Sequence, residues 1–234
     1  MVERNGTAGT IRVVLLGGFR IFADGRDIPL PEGPQRLVAV LALGGRTSRS
    51  RLAGTLWPEA DEQRALARLR TGIWRVNQAV PHLLAATGTY VELDPRADVD
   101  VHRLAAGWRA VLAGGAAPVD LPADGPSRLL PDWDEEWLVT ERERLHQMHL
   151  HTLEALAGRL ARDGRFGLAV EVALTALRGD PTRESAYRTL MSVHLAEGNV
   201  SEARRAYRRC AQVLERELGV APDAATAGLL ALPR

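Results

Sequence analysis

Lysine is absent from this 234-residue chain; all 30 of its basic residues are arginine. A P-loop, a Schiff-base lysine and a lysine general base are therefore excluded at the outset. Cysteine is reduced to Cys210 alone, so there is no disulfide framework, and the cytoplasm is the expected compartment. Long apolar runs are also missing. The longest near the start, Val13-Val14-Leu15-Leu16, falls far short of a secretory core or of the ~20 residues that span a bilayer, and no membrane contact is expected. Aromatic residues are scarce at 5%, but 46% hydrophobic and 25% charged residues describe a folded chain of one or two domains.

The formal net charge of +1 conceals an asymmetry. Residues 1–97 carry 13 Arg against 9 acids, a net of +4, and residues 98–234 carry 17 against 20, a net of −3. Eight of the arginines fall between Arg36 and Arg75, opposed only by Glu59, Asp61 and Glu62. Such an imbalance points to a polyanionic partner for the first half.

Pattern divides the chain near residue 97. Residues 1–10 are small and polar and are expected to be disordered. From Ile11, short strands are predicted around an Asp24-Gly25 turn, with Gly17-Gly18 as a strand irregularity. Gln35–Leu43 reads as a short helix. A second is capped by Ser48 or Ser50 and ended by Pro58, and a longer one spans Asp61–Val80. A hairpin around Thr87-Gly88-Thr89 follows. After Pro95 no strand signal is evident, and helices are predicted near 100–113, 134–163, 165–178, 183–197, 200–217 and 223–230, with a loop over Gly114–Pro131. Leu156, Gly164 and Ala169 recur as Leu190, Gly198 and Ala203, each 34 residues later. That period is the tetratricopeptide length, in which Gly turns one helix into the next and Ala admits close packing.

The helix Asp61–Val80 is the most informative segment. At about 100° per residue, Leu66, Leu69, Ile73, Val76 and Val80 form one stripe. Arg64, Arg68, Thr71, Arg75 and Gln78 form the opposite one, with Arg70, Trp74 and Asn77 on the flanks. A solvated structural face would interleave Glu among its arginines, and this face does not beyond its first turn. A short helix, a turn and a second helix with an exposed basic face is the helix-turn-helix order, and the flanking strands make it winged. Arg on the second helix can donate bidentate bonds to guanine in the major groove. Thr47, Ser48, Arg49 and Arg51 are placed for phosphate contacts, as is the hairpin Thr87, Thr89 and Tyr90.

Other constellations carry less. His146, His149 and His151 do not converge on one helical face, so no metal site is expected, and they read as solvated helix positions. Asp132, Asp134, Glu135 and Glu136 complement a helix start. Cys210, beside Arg208 and Arg209, reads as a buried structural cysteine rather than a redox switch. No nucleophile–base pair emerges, so neither an enzyme nor a cofactor is expected.

The order of PQRLVAVLAL, SRSRLAGTLWP, ADEQRALARLRTGIWRVNQAVP and GTYVELDPRADVDVHRL resembles the winged-helix domain of SARP-type regulators (Streptomyces antibiotic regulatory proteins). LLPDWDEEWLVTERERLHQMHLHTLEALA and YRRCAQVLERELGVAPDAAT resemble the accompanying bacterial transcriptional activation domain. The expected fold is therefore mainly α with small β, a winged helix-turn-helix domain over 11–97 followed by an all-α tetratricopeptide-like domain over 98–234. The resemblance implies an activator of bacterial secondary metabolism that binds direct repeats in double-stranded DNA, commonly as a dimer, and contacts RNA polymerase. It places base contacts at Arg64, Arg68, Arg70, Thr71, Trp74 and Arg75. Gly72 and Trp74 depart from the family's small polar residues, which implies an unusual base preference. Larger relatives continue into an ATPase and sensor repeats, whereas this sequence stops at Arg234, so control by ATP is not expected. A helical-repeat interaction module that does not bind DNA is the alternative.

Overall fold

The computed structural model describes residues 10–115 and 129–231. Apart from Thr10, the expected disordered start lies outside them, as does most of the Gly114–Pro131 loop. The described residues fall into two compact units, one of residues 10–104 and 129–142, the other of 105–115 and 143–231. The architecture is mainly helical with two small sheets, as expected.

In the first unit, β1 (Ile11–Val14), β2 (Arg20–Ala23) and β3 (Arg26–Asp27) form an antiparallel meander. Asp24 and Gly25 join β2 to β3 with φ of 51° and 77°, the double positive φ that a two-residue type I′ hairpin requires. Gly17 and Gly18, at φ of 80° and 135°, are not an irregularity within a strand but the turn that carries β1 into β2. A further strand follows Pro95, contrary to expectation: β7 (Asp98–Val99) lies parallel to β1 and gives the sheet order β3-β2-β1-β7. Two residues are too few to show alternation, and this strand exists because β1 offers an edge and Val99 a buried side chain. Asp100 then opens α4 (Asp100–Leu112). Its carboxylate accepts from the backbone N–H of Leu15 at 3.1 Å, of Leu16 at 2.9 Å and of Val101 at 2.8 Å, which ties the helix start to the end of β1.

Three helices make the body of this unit: α1 (Glu32–Gly44), α2 (Arg49–Leu56) and α3 (Glu62–Ala79). Leu37, Val38 and Leu41 of α1, Leu52 of α2 and Leu69, Ile73 and Val76 of α3 are all buried. Leu66 is only half-buried, and Ala65 and Gly72 join the buried stripe in its stead. A Cβ at Gly72 would stand 3.2 Å from Leu37 Cδ2. Glycine there lets α1 and α3 approach. The second sheet has the order β4-β6-β5, from β4 (Thr47–Ser48), β5 (Leu84–Thr87) and β6 (Tyr90–Leu93). Residues 129–142 complete the unit. Leu129 and Leu130 are fully buried, and Arg142 donates to the carbonyls of Leu129, Leu130 and Trp133 at 3.0, 2.5 and 2.8 Å. Within the acidic run, Glu135 pairs with Arg36, and its carbonyl accepts from Leu138 N–H at 2.9 Å.

The second unit takes most of α5 (Glu136–Arg162), then α6 (Phe166–Gly179), α7 (Glu184–Ala196), α8 (Val200–Leu218) and the short α9 (Ala224–Gly228). The 34-residue spacing recurs in the backbone itself. Arg165 N–H donates to Leu160 at 2.8 Å and Gly164 N–H to Ala161 at 3.1 Å; Asn199 donates to His194 at 2.7 Å and Gly198 to Leu195 at 3.0 Å. Both glycines are left-handed, at φ of 73° and 84°, so the same helix-terminating motif closes each first helix. Ala169 and Ala203, one turn into the following helices, are both fully buried.

One local expectation needs correction here. His149 is not solvated: it is buried, with its ring centroid 5.3 Å from that of Trp108. It belongs to the apolar stripe of α5 that also holds Leu145, Leu153 and Leu160. Cys210 is the buried structural cysteine that was expected: burial pushes its thiol up to about 11. It packs with Tyr187 and Leu214 as a structural residue. Among the described residues, no helix is long and apolar enough to cross a membrane, and no cluster of His, Cys, Asp and Glu could hold a metal ion.

Candidate nucleic-acid interface

Helix α3 starts where Asp61, its N-cap, accepts from the backbone N–H of Arg64 at 2.9 Å. The same carboxylate pairs with the Arg64 guanidinium at 3.2 Å. Among the described residues the basic face has no acidic partner beyond this first turn. Arg68, Arg70, Thr71 and Arg75 are exposed, and none of the three arginines is in an ion pair among the described residues. Thr71 Oγ1 bonds back to the Ala67 carbonyl at 3.2 Å, which leaves its oxygen free to accept. Trp74, on the flank, is 61% exposed, far more than an indole with a structural role would be. From Arg64 to Arg75 the face runs about 16 Å along the helix. It is an unneutralised cationic strip backed by a packed apolar stripe.

The other residues predicted for the interface are brought together by strand pairing. Ser48 sits opposite Tyr90 and Thr47 opposite Val91 in the β4–β6 register. Thr87 sits opposite Tyr90 across the β5–β6 hairpin, so Gly88, at φ 57°, and Thr89 form a two-residue tip. Ser48 is the N-cap of α2 and accepts from Arg51 N–H at 3.4 Å. Thr47 Oγ1 donates to the Gly45 carbonyl at 2.9 Å. Arg49 holds the tip in place: its backbone N–H donates to the Thr89 carbonyl at 2.7 Å and its Nε to Gly88 at 3.1 Å. Arg51, Thr87, Thr89 and Tyr90 remain exposed.

Two residues with parts in this arrangement were not singled out by sequence reasoning. Arg46 lies over the Tyr90 ring at 4.4 Å, a contact that exists only once β4 has paired with β6. Asn77 joins α3 to the hairpin: its Nδ2 donates to the Leu84 carbonyl and its Oδ1 accepts from the Leu84 N–H, both at 2.9 Å. The only sequence signal for Asn77 is an amide on the flank of an amphipathic helix. Asn77→Ala leaves both Leu84 groups unpaired, and we expect it to lower unfolding stability by about 1–3 kcal/mol, as read by urea denaturation.

The chain matches the family described as bacterial transcriptional activator domain over residues 103–231. Among solved structures it is similar to Mycobacterium tuberculosis EmbR, determined in complex with a low-affinity phosphopeptide, with a TM-score of 0.72 and 20% identity. That alignment covers 95% of this chain and 64% of the EmbR chain. At this identity the likeness shows a common fold. A search of curated proteins found no match.

Proposed function

Because the chain belongs to the bacterial transcriptional activator domain family, as its SARP-type resemblance implied, we propose that it is a sequence-specific DNA-binding activator. The observation that carries this reading is the exposed, unpaired Arg68/Thr71/Arg75 face of α3 within a winged helix-turn-helix order. Helix α3 enters the major groove and reads bases through Arg64, Arg68, Arg70, Thr71, Trp74 and Arg75. Thr47, Ser48, Arg49 and Arg51 at the start of α2, with Thr87, Thr89 and Tyr90 of the wing, hold the phosphate backbone. Residues 11–97 are the reader. Residues 98–234 dimerise the protein on direct repeats and contact RNA polymerase, in the cytoplasm at the nucleoid. The regulated genes belong to a biosynthetic pathway.

The test is a gel-shift titration of the full chain against fragments selected from genomic DNA, at 50 and 200 mM salt. Arg49 and Arg51 of each protomer make about four charged phosphate contacts for the dimer and predict a log–log slope near −3.6, hence roughly a 100-fold loss of affinity between those two salts. An absence of any salt-sensitive, sequence-dependent shift would sink the reading and leave the matched helix–turn–helix units as a protein-interaction module.

A further inference from the structure

Beside the wing, within the first unit, a cavity of about 530 Å³ opens between the end of α1, the start of α2, β6 and the first turns of α5. Its volume is that of a site for an organic molecule rather than a bare ion. Val40, Leu43, Tyr90 and Trp137 give it apolar walls, two of them flat and aromatic. Arg46 and Arg51 also line it, and neither is in an ion pair among the described residues. Glu141 is the one carboxylate among the described lining residues, and it is engaged in an interaction of its own. Trp137 lines the cavity with its ring, its Nε1 being closed off from solvent, and Thr140 contributes a hydroxyl. Among the described lining residues, positive charge exceeds negative. The cavity is built for a net negative ligand with a planar apolar body.

We propose that this cavity binds a small aromatic carboxylate and that its occupancy competes with DNA. The carboxylate lies against the Arg51 and Arg46 guanidiniums near the capped start of α2, where charge-assisted bonds are strongest. The ring lies on Tyr90 and Trp137. Competition follows because Ser48, Arg51 and Tyr90 line the cavity and also belong to the proposed phosphate-contact set. By linkage, a ligand that holds them loosens the grip on DNA as much as DNA loosens the grip on the ligand. Competition rests on the DNA-reading assignment above; binding does not.

Isothermal titration of the full chain with 2-naphthoate, 2-naphthylmethanol and inorganic phosphate tests the site. We expect 2-naphthoate to bind below 1 mM, and the neutral alcohol and phosphate each at least tenfold more weakly. Trp137→Ala removes an aromatic wall and is expected to weaken 2-naphthoate about fivefold without changing DNA affinity. Arg51→Gln is expected to weaken both. Saturating 2-naphthoate should lower affinity for a selected DNA fragment at least tenfold. Equal binding of acid and alcohol, or 2-naphthoate binding untouched by both variants, overturns the site. Phosphate binding as tightly as 2-naphthoate also overturns it and makes the cavity a seat for backbone phosphate. Simultaneous, independent binding of ligand and DNA overturns the competition. A chain that binds 2-naphthoate as described but ignores DNA counts against the proposed function alone.

Discussion

The double variant Arg68→Ala/Arg75→Ala is expected to lose selective promoter binding while remaining folded. Each guanidinium that forks onto a guanine edge is worth about 1–3 kcal/mol of discrimination, so together they account for roughly 30-fold to 10⁴-fold in specific affinity. The fold should survive because both side chains are exposed and neither makes an ion pair among the described residues. Surface substitutions of that kind stay within about 0.5 kcal/mol, which a urea titration of the same sample checks. Residual non-specific binding, held by Arg51 and its neighbours, should remain and keep most of its salt dependence. Arg68→Lys separates charge from geometry, since lysine preserves the cation but has no planar fork. It should retain non-specific affinity and lose preference at one base position. Promoter binding at full strength by the double variant would place the reading head elsewhere.

What made α3 legible was the agreement of several local signals. Asp61 caps it, Asp24-Gly25 and Thr87-Gly88-Thr89 mark the hairpins on either side, and a period of 3.6 separates its apolar stripe from its basic one. The helices after residue 100 were legible for the same reason, and Gly164 and Gly198 ended theirs as glycines at such spacing do. Features made by distant pairing were not legible. β7 exists through a parallel partner more than 80 residues earlier in the chain, and Asp100 and Arg142 satisfy backbone groups that no local pattern links to them. Gly72 could be read only as a departure from the family's pattern, because its reason lies on α1, at Leu37. In the candidate interface, the basic strip could be read from spacing, whereas the Arg46–Tyr90 and Asn77–Leu84 contacts depend on which strands meet. Burial of His149 was hidden because a histidine on an amphipathic helix carries no mark of the side it faces until its partner, Trp108, is placed.

That burial leads to a pH dependence that one substitution should remove. Burial, with a smaller contribution from His146, lowers the His149 imidazole from 6.5 to about 4. Among the described residues its Nδ1 and the neighbouring Trp108 Nε1 have no hydrogen-bond partner, so nothing in the pair favours the protonated ring. The depressed value fixes the sign. Between pH 6.5 and about 4 the unfolded chain binds a proton that the folded chain refuses, so stability rises with pH across that window. The contribution is complete above the unfolded value and is lost progressively as pH falls toward the folded one. Unfolding free energy should therefore drop by roughly 2 kcal/mol between pH 8 and pH 5. His149→Phe keeps an aromatic ring against Trp108 and has nothing to titrate, so its urea midpoint should stay nearly flat over the same range. Asp94 and Asp223 do not confuse the result. Hydrogen bonds to Arg96 and Thr226 hold these carboxyls below their ordinary 3.8, and their stabilisation fades only below the window. If wild type and His149→Phe lose stability in parallel from pH 8 to pH 5, the imidazole is not the group that carries the effect.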